Sequence, residues 1–278
     1  MLWLPGCLPW WNEVMLDVWV LYLLLGAFAG VVAGLLGVGG GLIIVPVLAL
    51  VFTRAGFDSS IIMHLAVGTS LATIVFTSIS SVRAHHQHGA VLWREFGRLT
   101  PGIVVGALLG ALVADSMPTR ELRIFFAIFE LTVATQMAFS ILPHAARELP
   151  GRGGMLTAGG VIGAVSAIVG IGGGTLTVPF LVWCRVKMQN AVATSSACGL
   201  PIAIAGAVGF VLTGWNDDRL PAWSAGFVYL PAVLGIVLAS VITAPLGAKL
   251  AHRLPAPTLK KVFAGLLFVL GIRMLISL

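Results

Sequence analysis

The sequence predicts an all-α, polytopic membrane protein made of two related halves, and three observations predict it. Hydrophobic residues make up 59% of the 278 positions and charged residues only 9%. With a mean hydropathy of +1.05, the chain has too little polar surface to clothe a soluble globule of this size. Apolar stretches approaching or exceeding the roughly 20 residues of a membrane span begin near residues 18, 61, 99, 121, 155, 190, 222 and 258. Finally, GLLGVGGGLIIVPVL at 34–48 recurs as AIVGIGGGTLTVPFL at 167–181, with seven of fifteen positions identical. So long a match points to an internal duplication.

The elements follow in order. Residues 1–17 read as an N-terminal interfacial segment, with Trp3, Trp10, Trp11 and the nearby Trp19 as anchors at the membrane surface. The segment lacks the basic start and cleavage pattern of a secretory signal. A first transmembrane repeat spans 18–142, a connector 143–154, and a second repeat 155–278. Beyond the glycine motif, AVGTS at 66–70 answers AVATS at 191–195, and MPTRELRIFF from 117 answers LPAPTLKKVF from 254. Each repeat therefore holds four to five helical segments, giving eight to ten crossings, according to whether the short pieces after the glycines (41–53 and 174–185) cross separately.

Lysine and arginine weigh the two counts, because cytoplasmic loops are enriched in positive charge. With eight crossings the sixteen basic residues divide nine to seven. With ten, eleven of them (among them Arg83, Arg94, Arg98, Arg147, Arg152, Arg185, Lys187, Lys249 and Arg253) fall on one side and five on the other. Ten is the preferred count. Five segments per repeat also make the two halves inverted relative to each other, a known transporter architecture.

The candidate site is built on the glycine breaks. Gly39, Gly40 and Gly41 in the first half, with Gly172, Gly173 and Gly174 in the second, interrupt apolar helix where lipid would not tolerate unpaired backbone. They expose N–H groups at the positive start of the following helix, where an anion fits. Pro46 and Pro179 break each helix again, removing a donor and leaving an earlier carbonyl unpaired. Close helix packing at small residues is the alternative reading of the same glycines. Thr69 and Ser70, and their counterparts Thr194 and Ser195, add neutral hydroxyl donors at the start of the next helix in each half. They could equally cap those helices or bond carbonyls one turn back. Thr73, Thr77, Ser78, Ser80 and Ser81 read as packing residues.

The segments GLLGVGGGLIIVPVL, IVGIGGGTLTVPFL, HLAVGTSLATIVFTSISSVRAH and AVATSSACGLPIAIAGAVGF resemble the TauE/SafE-type sulfite exporter family of bacterial membrane permeases, over nearly the whole chain. The resemblance implies a multi-pass protein of the bacterial cell (inner) membrane that moves sulfite, an organosulfonate or a related small anion. Its partners would be that anion, the lipid bilayer and a coupling ion, H⁺ or Na⁺; the oligomeric state stays open. Cys198 and Pro201 stand where the first half has Thr73 and Phe76, so a composite site would be asymmetric.

Glu130 is the acidic residue nearest the middle of an expected span. Charge there is costly enough that its default reading is functional. It is a candidate coupling residue, a structural partner of Arg273 or another polar group, or a carboxyl that helix tilt brings to the interface. The His85, His86 and His88 connector with Arg83 could bind a metal, draw anions, or serve as an ordinary positive loop. No metal site or disulfide framework is expected, since Cys7, Cys184 and Cys198 share no ligand-type spacing. No cofactor is expected either. The scattered basic residues argue against nucleic acid, and the sequence has no nucleotide-binding motif to bring ATP drive. The leading expectation is a secondary transporter, or permease, and not an enzyme. An anion channel is the first alternative and an intramembrane enzyme the second, although no GxSxG or HExxH sequence occurs.

Overall fold

The computed structural model describes residues 8–36, 39–139, 148–251 and 256–276. Trp3, Cys7, Gly37, Arg147 and Arg253 lie outside them. The described residues form ten helices and one small hairpin. In chain order these are α1 (Leu8–Leu36), α2 (Gly41–Arg54), α3 (Ile62–Gln87), α4 (Trp93–Ser116), α5 (Thr119–Ala138), α6 (Arg152–Val169), α7 (Gly174–Trp183) and α8 (Met188–Thr213). Strands β1 (Ser224–Ala225) and β2 (Val228–Tyr229) precede α9 (Leu230–Ala251) and α10 (Ala256–Ile276).

Six helices are long and apolar enough to cross a membrane: α1, α3, α4, α6, α8 and α9. The short helices α2 and α7 follow the glycine breaks, and at about 1.5 Å per residue they are roughly 21 and 15 Å long, below the ~30 Å hydrocarbon core. The chain is thus an all-α, polytopic protein, with ten helical segments among the described residues.

Packing follows the distribution of small residues. Helix α1 lies along α9, and α4 lies along α6 and α8. On α4, Gly102, Gly106 and Gly110 turn toward the backbone of Leu156, Gly160 and Ala164 on α6, where a side chain would collide. The helices can approach so closely because glycine presents no Cβ. The other face of α4 carries exposed Val105, Leu109 and Leu112, as a lipid-facing surface requires. Helix α3 is central, packing on α2, α8 and α9, and α5 pairs with α10.

Two hydrogen bonds tie connections that lie far apart in the sequence. Arg219, in the α8–β1 connection, donates from Nη1 to Ser60 Oγ in the α2–α3 connection at 2.9 Å. At the other end of α3, Asn190 in the first turn of α8 donates from Nδ2 to the Ala90 carbonyl in the α3–α4 connection at 3.0 Å. In a ten-segment path both pairs share a face. In an eight-crossing path, with each broken helix counted once, both would lie across the membrane from each other.

Helix α1 begins at Leu8, so the segment read as interfacial is helical from there. One expectation about boundaries changes. The span expected from about residue 222 begins instead at Leu230, because residues 224–229 form a two-stranded hairpin. Gly226 turns it with a φ of 53°, a conformation that suits glycine. The Phe227 N–H donates to the Phe210 carbonyl at 3.1 Å and ties the hairpin to α8.

Candidate functional site

The two glycine breaks meet. A Cβ placed on Gly39 would lie 3.0 Å from the Gly172 Cα, and one on Gly41 would overlap the Gly170 carbonyl oxygen. Both breaks take the same local form. Gly40 and Gly173 are the N-cap residues of α2 and α7, with left-handed φ values of 78° and 74°. Their carbonyls accept the N–H groups of Ile43 and Ile44, and of Leu176 and Thr177. The preceding N–H groups, on Gly41 and Leu42 and on Gly174 and Thr175, have no acceptor within their own helix. Pro46 and Pro179 lie inside these helices and free the carbonyls of Leu42 and Thr175 four residues earlier.

Where the breaks touch, a cavity of about 10 Å³ is lined by Ala33, Gly39, Thr77, Ser78, Ser81, Gly172, Ser196 and Gly199. It has room for about one water. Its polar lining consists of hydroxyls and backbone, with no charged side chain among the eight residues. Thr77 Oγ1 lies 3.0 Å from the Thr73 carbonyl and 3.1 Å from Ser240 Oγ on α9. Ser81 Oγ is buried without a hydrogen-bond partner. In the sequence Thr77, Ser78 and Ser81 read as packing residues, yet all three line this cavity.

The hydroxyls singled out from the repeat are fully buried, and three of them hold backbone. Thr69 Oγ1 accepts the Tyr229 N–H at 2.9 Å, just before α9. Thr194 Oγ1 accepts the Leu92 N–H at 3.0 Å, just before α4. Ser70 Oγ donates to the Gly170 carbonyl at 2.8 Å, stapling α3 to the opposite break. Ser195 is likewise fully buried on α8. None of these four lines the cavity; Ser196, next to them, does.

Glu130 lies on α5, away from the breaks, fully buried with neither oxygen hydrogen-bonded. Its oxygens accept no hydrogen bond from Arg273; elsewhere ion pairs join Arg98 to Glu95 and Arg219 to Asp217. In the histidine connector, His85 is buried and His86 Nδ1 accepts the Trp93 indole N–H at 3.3 Å.

At the α2–α3 end of α3, a wider basin of about 730 Å³ is bordered by His64, Asp115, Thr119, Arg120, Arg123 and Arg219, among others. Arg219 grips Asp217 through Nε and Nη2, at 2.8 and 2.6 Å. These bonds hold the Asp217 carboxyl below the usual carboxylate range. The Ser60 hydroxyl and N–H do the same for Asp58.

The sequence profile of the family described as "Sulfite exporter TauE/SafE" matches residues 22–274, which takes in both breaks and nearly every described helix. The chain belongs to the sulfite exporter TauE/SafE family. Among relatives, a probable membrane transporter protein of Haemophilus influenzae is 38% identical over 261 residues, covering 93% of this chain and 98% of that protein. A probable membrane transporter protein of Methanocaldococcus jannaschii is 27% identical over 263 residues, covering 92% and 95%. No solved structure matches the chain. Family membership and the six long apolar helices make it a multi-pass membrane transporter.

Proposed function

We propose that this transporter is a secondary permease for a small anion, sulfite or an organosulfonate, held where the two glycine breaks meet. The observation that carries the reading is the approach of Gly39 to Gly172 around a cavity lined by hydroxyls and backbone. Two helices begin beside that junction, and helix starts favour negative charge through unpaired N–H groups and the macrodipole. An anion held this way needs no buried cation, so it can leave as readily as it enters.

The proposed halves are inverted repeats that rock about the site. Three packing relations support this: α1 on α9 answers α6 on α4, α2 on α3 answers α7 on α8, and α3 and α8 pack on each other. The chain also leaves α2 and α7 at opposite ends of α3, as Ser60 and Asn190 mark. Glu130 is the residue assigned to coupling, since a fully buried, unpartnered carboxyl is costly to keep in a membrane helix. Glu130→Gln should then abolish any stimulation by a pH gradient while leaving exchange of anion for anion.

Proteoliposome uptake tests the reading with sulfite, thiosulfate, sulfoacetate and small carboxylates, each with and without a pH or Na⁺ gradient. Saturable uptake of a sulfur oxyanion is the expected result. If none of them moves, the reading is wrong.

A further inference from the structure

The two breaks share a backbone but not their side chains. In the second, Ser166 near the end of α6 and Thr177 in the first turns of α7 are both fully buried, and neither hydroxyl has a hydrogen-bond partner. A Cβ built on Gly173 would lie 3.4 Å from Ser166 Oγ and 3.5 Å from Thr177 Oγ1. The two hydroxyls therefore flank the space over Gly173, immediately before α7 begins. The Thr175 hydroxyl, on that first turn, is also buried and unpartnered. At the matching positions the first half carries Ala33, Leu42 and Ile44, which offer no hydroxyl.

Buried hydroxyls are almost always hydrogen-bonded, so three unpaired ones at one helix start call for a ligand. We propose that Ser166 and Thr177 are oxyanion-binding residues. Together with the N–H groups of Gly174 and Thr175, they make the second break the half that grips and selects the anion, while the first supplies an apolar wall. The inference rests on the anion-permease reading above. The sign of the ligand follows from the donors, since the helix start presents N–H groups and hydroxyls can donate to oxyanion oxygens. No acidic side chain stands among these residues to balance a cation. In this conformation the Ile202 Cδ1 methyl crowds Gly173. Rotation of that flexible side chain would open the space, so Ile202 stands as the plug over the site.

The experiment compares Ser166→Ala, Thr177→Val and Thr177→Ser with the wild type in proteoliposomes, reading KM and kcat for sulfite and sulfoacetate. Thermal unfolding of the same detergent-solubilised proteins is followed with and without 10-fold steps of sulfite. Ser166→Ala and Thr177→Val should each raise KM about tenfold, the loss of one good hydrogen bond to a charged group. Thr177→Ser, which keeps the hydroxyl, should stay within about threefold. Without anion, Ser166→Ala and Thr177→Val should unfold at the wild-type temperature or above it, and the upward shift caused by sulfite should shrink.

Wild-type KM in both hydroxyl-deleted proteins overturns the inference while leaving the permease reading standing. So does a Thr177→Ser protein as impaired as Thr177→Val, or a fall in unfolding temperature that tracks the KM change, because both mark packing roles. Loss of Na⁺ stimulation with unchanged anion KM would make this a cation site and overturns the oxyanion assignment. A wild-type protein that moves no anion refutes the permease reading itself, and the inference with it.

Discussion

Gly39→Ala puts the meeting of the breaks to a quantitative test. Two costs fall on this residue. Its φ of +80° is a conformation closed to most side chains, worth about 1–2 kcal/mol for a non-glycine residue. Its new Cβ would stand 3.0 Å from the Gly172 Cα, 3.1 Å from the Gly172 nitrogen and 3.3 Å from Ile74 Cγ2. Two of these three neighbours are backbone, so the breaks must part by several tenths of an ångström, an overpacking cost of about 1–3 kcal/mol. The sum is about 2–5 kcal/mol. Gly56 isolates the first cost, because its φ is +75° but nothing lies within 4 Å of an added Cβ. Gly56→Ala should lose only about 1–2 kcal/mol. Chemical or thermal unfolding of the two purified variants, followed by tryptophan fluorescence, gives the difference, which should be at least 1 kcal/mol. Equal destabilisation would refute the contact between the breaks.

Further outcomes follow from the same geometry. Thr69→Val and Thr194→Val each strip the acceptor from a backbone N–H, on Tyr229 and Leu92, and should cost about 1–3 kcal/mol in unfolding; the serine variants should restore most of it. Thr177→Val removes a buried hydroxyl that has no partner, so the protein should gain up to about 1 kcal/mol, read as a raised unfolding midpoint. Gly265→Ala, in α10 with open space around the added Cβ, should stabilise by about 1 kcal/mol through helix propensity alone. Because Asp217 titrates lower in the folded protein than its ordinary value, its contribution is present above the ordinary carboxylate range and lost as pH falls below it. Acid unfolding of Asp217→Asn should then be less steep below about pH 4 than that of wild type, with no difference at pH 7 in slope.

Much of the scaffold is legible in the sequence, because membrane helices must satisfy their own backbone and so announce themselves as apolar runs. The duplicated GxGGG break is equally plain, since glycine takes at little cost the left-handed turn that Gly40 and Gly173 make before each short helix. The threonines were a harder case. Thr69 and Thr194 bond backbone 160 and 102 residues away, a tertiary relation that no local pattern encodes. Ser78 and Ser81 look like packing residues because α3 is apolar or small on every face, so periodicity does not reveal which face meets the breaks. The hairpin at 224–229 hides in an apolar run, its strands only two residues long. One overlooked signal was available. Hydroxyls at 166, 175 and 177 stand where the matching segment of the first half has Ala33, Leu42 and Ile44, and such a difference between two otherwise similar apolar segments marks a place where they can do different work.

Under the proposed function a small anion crosses where the breaks meet. Saturable uptake of labelled sulfite into proteoliposomes tests it most directly, with Gly40→Leu and Gly173→Leu as blocked forms and Thr177→Val as a variant expected to fold at least as well as wild type. Uptake by the wild type, none by the folded leucine variants and a raised KM for Thr177→Val are the expected results. Uptake that is absent in the wild type, or unchanged in all three variants, would contradict it.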